Sequence, residues 1–117
     1  MSLAVYILMR TDLNMSRGKM IAQGGHAVTE LMLFKEDEGL VKKWFNEQGQ
    51  TKITLAVNSE EELNDIADYC MENDIPYADI VDEGRTELEG WVFTCLGIGP
   101  VKRNKMFRLT GHLDALR

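Results

Sequence analysis

Apolar and polar positions follow one another in blocks along the chain, and each block predicts one element. Leu3 to Met9 is an almost continuous apolar run, which is typical of a strand buried on both faces. Ser16 then begins a helix that runs to about Phe34. We expect its buried face to be formed by the apolar positions at helical spacing, namely Met20, Ile21, Ala27, Val28, Leu31, Met32 and Phe34.

The middle of the chain changes period twice. An amphipathic stretch from about Glu38 to Gln48 predicts a helix that ends at Gly49. Thr51 to Val57 alternates apolar with smaller or polar residues, which indicates a strand. Ser59, with a glutamate three residues later, predicts the start of a helix that reaches about Asn73.

The last part of the chain predicts two strands. Pro76 stops the preceding helix, Tyr77 to Val81 forms a third strand, Asp82 to Glu89 is a polar loop, and Trp91 to Ile98 is a fourth strand. Two successive strand-helix-strand units favour parallel crossovers, whereas the short last loop lets the final strand run antiparallel. The pattern predicts one α/β domain over residues 1–117, with a four-stranded mixed sheet of three parallel strands and an antiparallel last strand, flanked by helices.

Length and composition agree with a single folded domain. The chain has 117 residues, 44% hydrophobic content and only two prolines, and no apolar run approaches the roughly 20 residues of a membrane span. Cys70 and Cys95 show no metal-type or disulfide-type spacing. We therefore expect a protein of the reducing cytoplasm, with no membrane partner, no metal site and no cofactor.

Charge is distributed unevenly along the sequence. The formal net charge is -6, and residues 60–89 hold 12 of the 19 acidic residues but only one of the 13 basic ones. The rest of the chain is therefore basic, most visibly at Lys102, Arg103, Lys105 and Arg108. This stretch is either a nucleic-acid contact or an ordinary solvated face.

Ligands of open α/β sheets bind beyond the carboxyl ends of the parallel strands. The loops after the first and third predicted strands share that edge, and an antiparallel fourth strand begins there. The predicted topology therefore gathers polar side chains that are distant in sequence: Lys19, Gln23, His26, Asp82, Arg85, Thr86 and Thr94.

Each of these residues has a structural and a functional interpretation. Lys19, in the first turn of a helix, suits a phosphate or a developing oxyanion, but it could be a solvated lysine. His26 is either a hydrogen-bonded helix residue or a proton carrier. Asp82 either holds a turn or orients a water, helped by Thr86 and balanced by Arg85.

Gly24 and Gly25 interrupt the predicted first helix, where each costs about 1 kcal/mol relative to alanine. We favour close packing of the helix on the sheet as their cause, over clearance for a substrate beside Gln23 and His26. The sequence contains no GxxxxGK[ST], paired CxxC, HExxH or GxSxG pattern, so the commonest nucleotide, zinc and serine-hydrolase sites are excluded.

Three separated segments together resemble the type II peptidyl-tRNA hydrolases. They are RTDLNMSRGKMIAQGGHA at 10–27, VDEGRTEL at 81–88, and TCLGIGP followed by TGHL near the end. The sequence departs from the family pattern at Gly24, where a larger residue such as Cys or Val is usual. The resemblance implies a metal-independent enzyme on a four-stranded mixed sheet, acting in translation and ribosome rescue and often forming a homodimer.

By the same resemblance, this chain would cleave the ester that joins a peptide to tRNA. The implied catalytic residues are Lys19, Asp82, Thr86 and Thr94, and the implied substrate contacts are Arg17, Gln23, His26, Arg85, Lys102, Arg103 and Lys105. The sequence leaves the general base unassigned, and it leaves open whether Lys19 contacts the oxyanion or an RNA phosphate. The alternative is a non-catalytic module that binds tRNA or a protein on the same fold.

Overall fold

The long apolar runs of the sequence become the two central strands of a sheet. The structure is a computed structural model that describes residues 2–34, 37–84, 88 and 90–117. Strand β1 (Leu3–Arg10) is buried along its whole length, and β4 (Val92–Lys102) is buried between its two end residues. With β2 (Lys52–Val57) and β3 (Tyr77–Asp82), they form a four-stranded sheet in the order β2-β1-β4-β3.

The pairing corrects the predicted sheet. β1 and β2 are the one parallel pair of described strands, and β4 is antiparallel to both β1 and β3. The prediction of three parallel strands is therefore wrong: β3 runs in the same direction as β1 and β2 but pairs with neither. β4 occupies the place between β1 and β3 because its long apolar run is suited to burial on both faces and pairing along both edges. The coarser prediction, one α/β domain with a mixed four-stranded sheet, is confirmed.

Helices cover both faces of the sheet. Helices α1 (Arg17–Phe34) and α2 (Glu38–Glu47) enclose one core, and α3 (Glu60–Glu72) packs against the other face. A 3-10 helix at Arg103–Lys105 and the short α4 at Phe107–Thr110, which the sequence pattern did not predict, complete the second layer. No helix within the described ranges is long and apolar enough to cross a membrane.

Side-chain caps begin the helices as the sequence predicted. The Ser16 hydroxyl accepts a hydrogen bond from the backbone N–H of Lys19 at 3.1 Å. The Ser59 hydroxyl accepts one from the N–H of Glu62, also at 3.1 Å. Each cap satisfies a backbone donor that has no partner inside the helix. Gly49, with a φ of +64°, follows the end of α2 in the left-handed conformation that a side chain would disfavour.

The buried seam of α1 differs from the predicted stripe. Ile21 and Phe34 are 76% and 72% exposed, so their assignment to the buried face is wrong. A Cβ at Gly97 would lie 2.9 Å from the Ala27 Cβ, so the glycine lets α1 lie directly on β4. Because the helix lies so close to the strand, only a narrow strip of α1 is covered by the sheet. The buried residues of α1 are Gln23, Gly24, Ala27 and Leu31.

The carboxyl-terminal segment lies along the outer edge of β2. The N–H of Ala56 donates to the carbonyl of Asp114 at 2.9 Å, and the N–H of Leu116 donates to the carbonyl of Thr54 at 3.0 Å. Leu55 and Ala115 form an antiparallel bridge between these two bonds. The segment thus satisfies edge groups that would otherwise be open to another strand.

Candidate active site

Polar side chains collect at the edge of the sheet where β3 ends and β4 begins. Asp82, the last residue of β3, is the register partner of Val92, the first residue of β4. The first turn of α1 reaches this edge, since Lys19 contacts Asp82. The topology therefore unites residues 63 positions apart in the sequence, as the rule for strand carboxyl ends led us to expect.

Lys19 and Asp82 form a buried ion pair. The Lys19 ammonium Nζ donates to Asp82 Oδ1, and the two side chains are only 11% and 8% exposed. The other carboxylate oxygen, Oδ2, accepts a bond from the backbone N–H of Gly84 at 2.8 Å. The hydrogen bond from Lys19 lowers the pKa of Asp82, against the opposing effect of burial, so the carboxyl is ionised at neutral pH.

The turn after β3 requires a glycine and is fastened by Asp82. Gly84 has a φ of +75°, and a Cβ there would lie 2.5 Å from the backbone nitrogen of Gly90. Its N–H is the group that Asp82 holds. Asp82 therefore contacts both the turn and the lysine, so the structural and functional interpretations of this aspartate apply to different oxygens of one carboxylate.

A buried hydrogen-bond chain lies beside the ion pair. Gln23 is 3% exposed and donates through Nε2 to the Thr94 hydroxyl at 2.8 Å. The fully buried Thr94 hydroxyl in turn donates to the carbonyl of Ile80 at 3.1 Å. These two bonds tie α1 to β4 and β3. Gln23, which the sequence analysis places among the polar side chains of this edge, is buried because its hydrogen-bond partner Thr94 is polar too.

The other predicted residues of this edge have different positions. His26 is exposed on α1, and Arg17 is exposed at the first position of the same helix. Among the described residues, the Asp82 carboxylate is bonded by Lys19 and by the Gly84 N–H, and neither His26 nor Arg17 supplies one of these bonds. Arg85 and Thr86 lie outside the described residues.

The predicted basic residues lie at the opposite end of β4. Lys102, Arg103 and Lys105 are exposed where β4 ends and the 3-10 helix begins. Thr94 and Lys102 are eight residues apart on one strand, a separation of about 27 Å. The structure does not bring these cations to the ion pair, so they form a separate surface.

Arg10 is a residue of this edge that the sequence interpretation missed. It is 8% exposed, and its Nε and Nη2 donate to the two Asp12 carboxylate oxygens at 3.0 and 2.7 Å. Its Nη1 donates to the carbonyl of Phe93 at 3.0 Å, next to Thr94. The bond between the side chains raises the pKa of Arg10 and lowers that of Asp12. The sequence pattern that could have indicated this ion pair is an arginine at the end of an apolar strand with an aspartate two positions later.

Neither cysteine offers an activated thiolate. Cys70 and Cys95 are buried, and burial raises the pKa of each thiol to about 12. Among the described residues, no group of three or more His, Cys, Asp and Glu side chains is arranged to hold a metal ion.

Sheet, helices and site together define a class of protein. It is a small α/β protein with a buried lysine–carboxylate pair at the carboxyl end of β3 and a buried Gln–Thr hydrogen bond between α1 and β4. The family model described as Peptidyl-tRNA hydrolase PTH2 matches residues 3–116. The chain belongs to this family.

Curated relatives match over almost their full length. A protein named peptidyl-tRNA hydrolase from Methanocaldococcus jannaschii is 42% identical over 112 residues, which cover 94% of this chain and 96% of the relative. Proteins of the same name from Methanopyrus kandleri and Sulfurisphaera tokodaii are 39% and 37% identical. The former alignment covers 95% of this chain and 96% of the relative, and the latter 99% and 100%.

Proposed function

We propose that this protein hydrolyses the ester bond between the peptide and the tRNA of peptidyl-tRNA, releasing both. The observation that carries the proposal is the buried Lys19–Asp82 pair, found in a chain that belongs to the peptidyl-tRNA hydrolase family. Ester hydrolysis develops negative charge on the carbonyl oxygen, and a fixed cation in a partly dehydrated site stabilises such charge.

Lys19 is the residue that we assign to the oxyanion. Its side chain is only 11% exposed and is oriented by Asp82, so little reorganisation is needed as the charge develops. In our proposal, the phosphate contacts belong to other cations of the chain.

Asp82 acts in our proposal by orientation. Lys19 lowers the pKa of its carboxyl, which makes the carboxylate a weak base for removing a proton from water. We assign it to holding the Lys19 ammonium and helping to orient the attacking water. Thr86, four residues after Asp82 in the sequence, is the second residue that we assign to this water, and the proposal assigns no general base.

Thr94 and Gln23 are positioning residues in the proposed mechanism. The Thr94 hydroxyl accepts from Gln23 and donates to the Ile80 carbonyl, so its proton is already engaged. It therefore acts through Gln23 on the placement of α1. His26, Arg85 and Arg17 remain proposed substrate contacts.

We further propose that the basic end of β4 binds the tRNA backbone. Lys102, Arg103 and Lys105 are exposed on a chain of net charge -6, so this local surface is better suited to a polyanion than the molecule as a whole. Phe107, 75% exposed in the same segment, is available to stack on a base. At about 27 Å from Thr94, this surface would contact the tRNA away from its reacting 3′ end.

A homodimer and a cytoplasmic location complete the proposal. Three exposed apolar side chains, Leu33 and Phe34 on α1 and Phe45 on α2, support a self-association surface. Sedimentation velocity over a range of protein concentrations would test the dimer. A substrate made by translation supports the cytoplasm as the compartment.

The test is hydrolysis of an N-acetylated aminoacyl-tRNA by the purified chain, followed as free tRNA. We expect turnover by the parent and by Lys42→Met, an exposed control lysine on α2, and a loss of about 10²–10³ in kcat for Lys19→Met. Binding of the substrate without any turnover by the parent would instead favour the non-catalytic module.

A further inference from the structure

Gly24 and Gly25 lie in the middle of α1, and no neighbouring atom excludes a Cβ atom from either position. A Cβ added to Gly25 would meet no heavy atom within 4 Å. A Cβ added to Gly24 would approach the Ile7 side chain only to 3.6 Å, an ordinary van der Waals contact. The expected explanation, close packing of the helix on the sheet, is therefore wrong for both positions. Gly97 of β4 is the glycine that close packing does require.

The space that these glycines leave is part of an apolar groove. It has a volume of about 620 Å³ and lies between α1, β1, β2 and the carboxyl-terminal segment. Ile7 and Met9 line it from the sheet, and Met20 and Val28 line it from the helix. Lys19, Gln23 and Asp82 are not among its lining residues, whereas Arg17, which we propose as a substrate contact, lines the groove. The groove is therefore separate from the Lys19–Asp82 pair but shares Arg17 with the proposed substrate contacts.

The groove carries cations and no described carboxylate side chain. Arg17, Lys52 and Arg117 line it, whereas none of its described lining residues is Asp or Glu. Lys52 also lies 5.1 Å from the centroid of the Trp44 ring, a cation–π contact that restrains this ammonium group. The net charge of the chain is -6, yet the ionisable side chains among the described lining residues are all positive. Such a lining favours a ligand that has an apolar part and a negative charge.

We propose that this groove binds a small amphipathic anion, an apolar body that carries one carboxylate. The volume is in the usual range for small-molecule sites, which combine apolar linings with a few charged groups. Gly24 and Gly25 keep the groove open at the expense of helix propensity.

Two sources could supply this chemistry, a free apolar acid or the carboxyl end of a peptide. Decanoate and N-acetyl-leucyl-phenylalanine represent them, with decanol and the peptide amide as uncharged counterparts. Calorimetric titration of the full chain should show both acids binding at least tenfold more tightly than their counterparts. The tighter of the two acids identifies the source. Binding of neither acid, or equal binding of acid and neutral partner, overturns the proposal.

Substitutions in α1 separate the groove from the stability of the helix. Gly24→Leu directs a side chain into the groove and should weaken binding of the acids at least tenfold, with a melting temperature no lower than that of the parent. Gly18→Ala is the matched control, since Gly18 lies in the same helix in open space and outside the groove. It should bind like the parent.

The cations and a second copy of the chain are tested in the same series. Replacing Arg17 and Arg117 by Gln should weaken the acids several-fold and leave decanol binding unchanged. Unchanged affinity for the acids would contradict the assigned role of the cations. A parent dimer that Gly24→Leu dissociates would show that a second copy fills the groove and would overturn the proposal. Every readout is ligand binding, melting temperature or mass, so the outcome does not depend on peptidyl-tRNA hydrolysis.

Discussion

The buried pair of Lys19 and Asp82 allows its two partners to be removed separately and together. Asp82→Asn retains an oxygen that can accept the Gly84 N–H, but it leaves the Lys19 ammonium without its counterion. Lys19→Met leaves the carboxylate without the lysine. The double variant has neither charge, so a side chain of similar size occupies each place with no ion left unpaired.

The burial of the pair sets the expected magnitudes. Removing one partner of a buried ion pair typically costs 3–5 kcal/mol, because the remaining charge is uncompensated. Since the side chains keep 11% and 8% exposure, we expect about 3 kcal/mol for each single variant. The double variant should lose less than the sum of the two by about 1–3 kcal/mol. At roughly 2–8 °C per kcal/mol, each single variant should melt about 10 °C below the parent.

Urea unfolding of the four proteins at pH 7 gives the coupling energy, and hydrolysis of N-acetylated aminoacyl-tRNA at saturation gives the catalytic effect. We expect both single variants and the double variant to lose about 10²–10³ in kcat, since each lacks the oriented cation. Strictly additive losses of stability would show that the two charges are not coupled in the folded state. A double variant that turns over like the parent would refute the role of the pair in the reaction.

Three further predictions concern pH, binding of tRNA and dependence on a metal. Because Lys19 lowers the pKa of Asp82 below 3.8, the stability from this carboxylate is present above pH 3.8 and lost as pH falls through its folded value. The difference between the urea midpoints of the parent and Asp82→Asn should therefore be constant from pH 5 to 7, and the two midpoints should converge below pH 3.8. Replacing Lys102, Arg103 and Lys105 together should weaken tRNA binding and reduce the dependence of affinity on salt concentration. Phe107→Ala should weaken binding and leave the salt dependence unchanged. Equal salt dependence for the parent and the triple variant would contradict tRNA binding by the basic end of β4. Hydrolysis should continue in EDTA and should spare free aminoacyl-tRNA, as the family resemblance implies, and chelator-sensitive turnover would contradict this.

Local sequence information was sufficient for most elements and for part of the site. Serine caps and apolar periods are properties of neighbouring residues, so the starts of α1 and α3 and the four strands were predictable. The carboxyl-edge rule placed Lys19 near Asp82 because it needs only the strand directions. Strand pairing joins distant residues, so the position of β4 between β1 and β3 was not available from the same patterns.

The remaining errors concern which face of an element is covered. The apolar Ile21 is exposed and the polar Gln23 is buried, which is the opposite of what their polarities predict. The covered face of α1 depends instead on how closely the helix approaches Gly97. Arg10 was overlooked because its partners include a backbone carbonyl 83 residues away. Such contacts have no local period in the sequence.

The central position of β4 has a consequence for synthesis of the protein. As the chain leaves the ribosome, β1 and β2 emerge first and β3 follows, yet among the described strands β3 pairs with β4 alone. A nascent chain that ends before Val92 therefore has two unconnected sheet fragments with open strand edges, and such fragments are prone to aggregate. Folding of the sheet, and with it burial of the Lys19–Asp82 pair, must wait until the last strand has been translated.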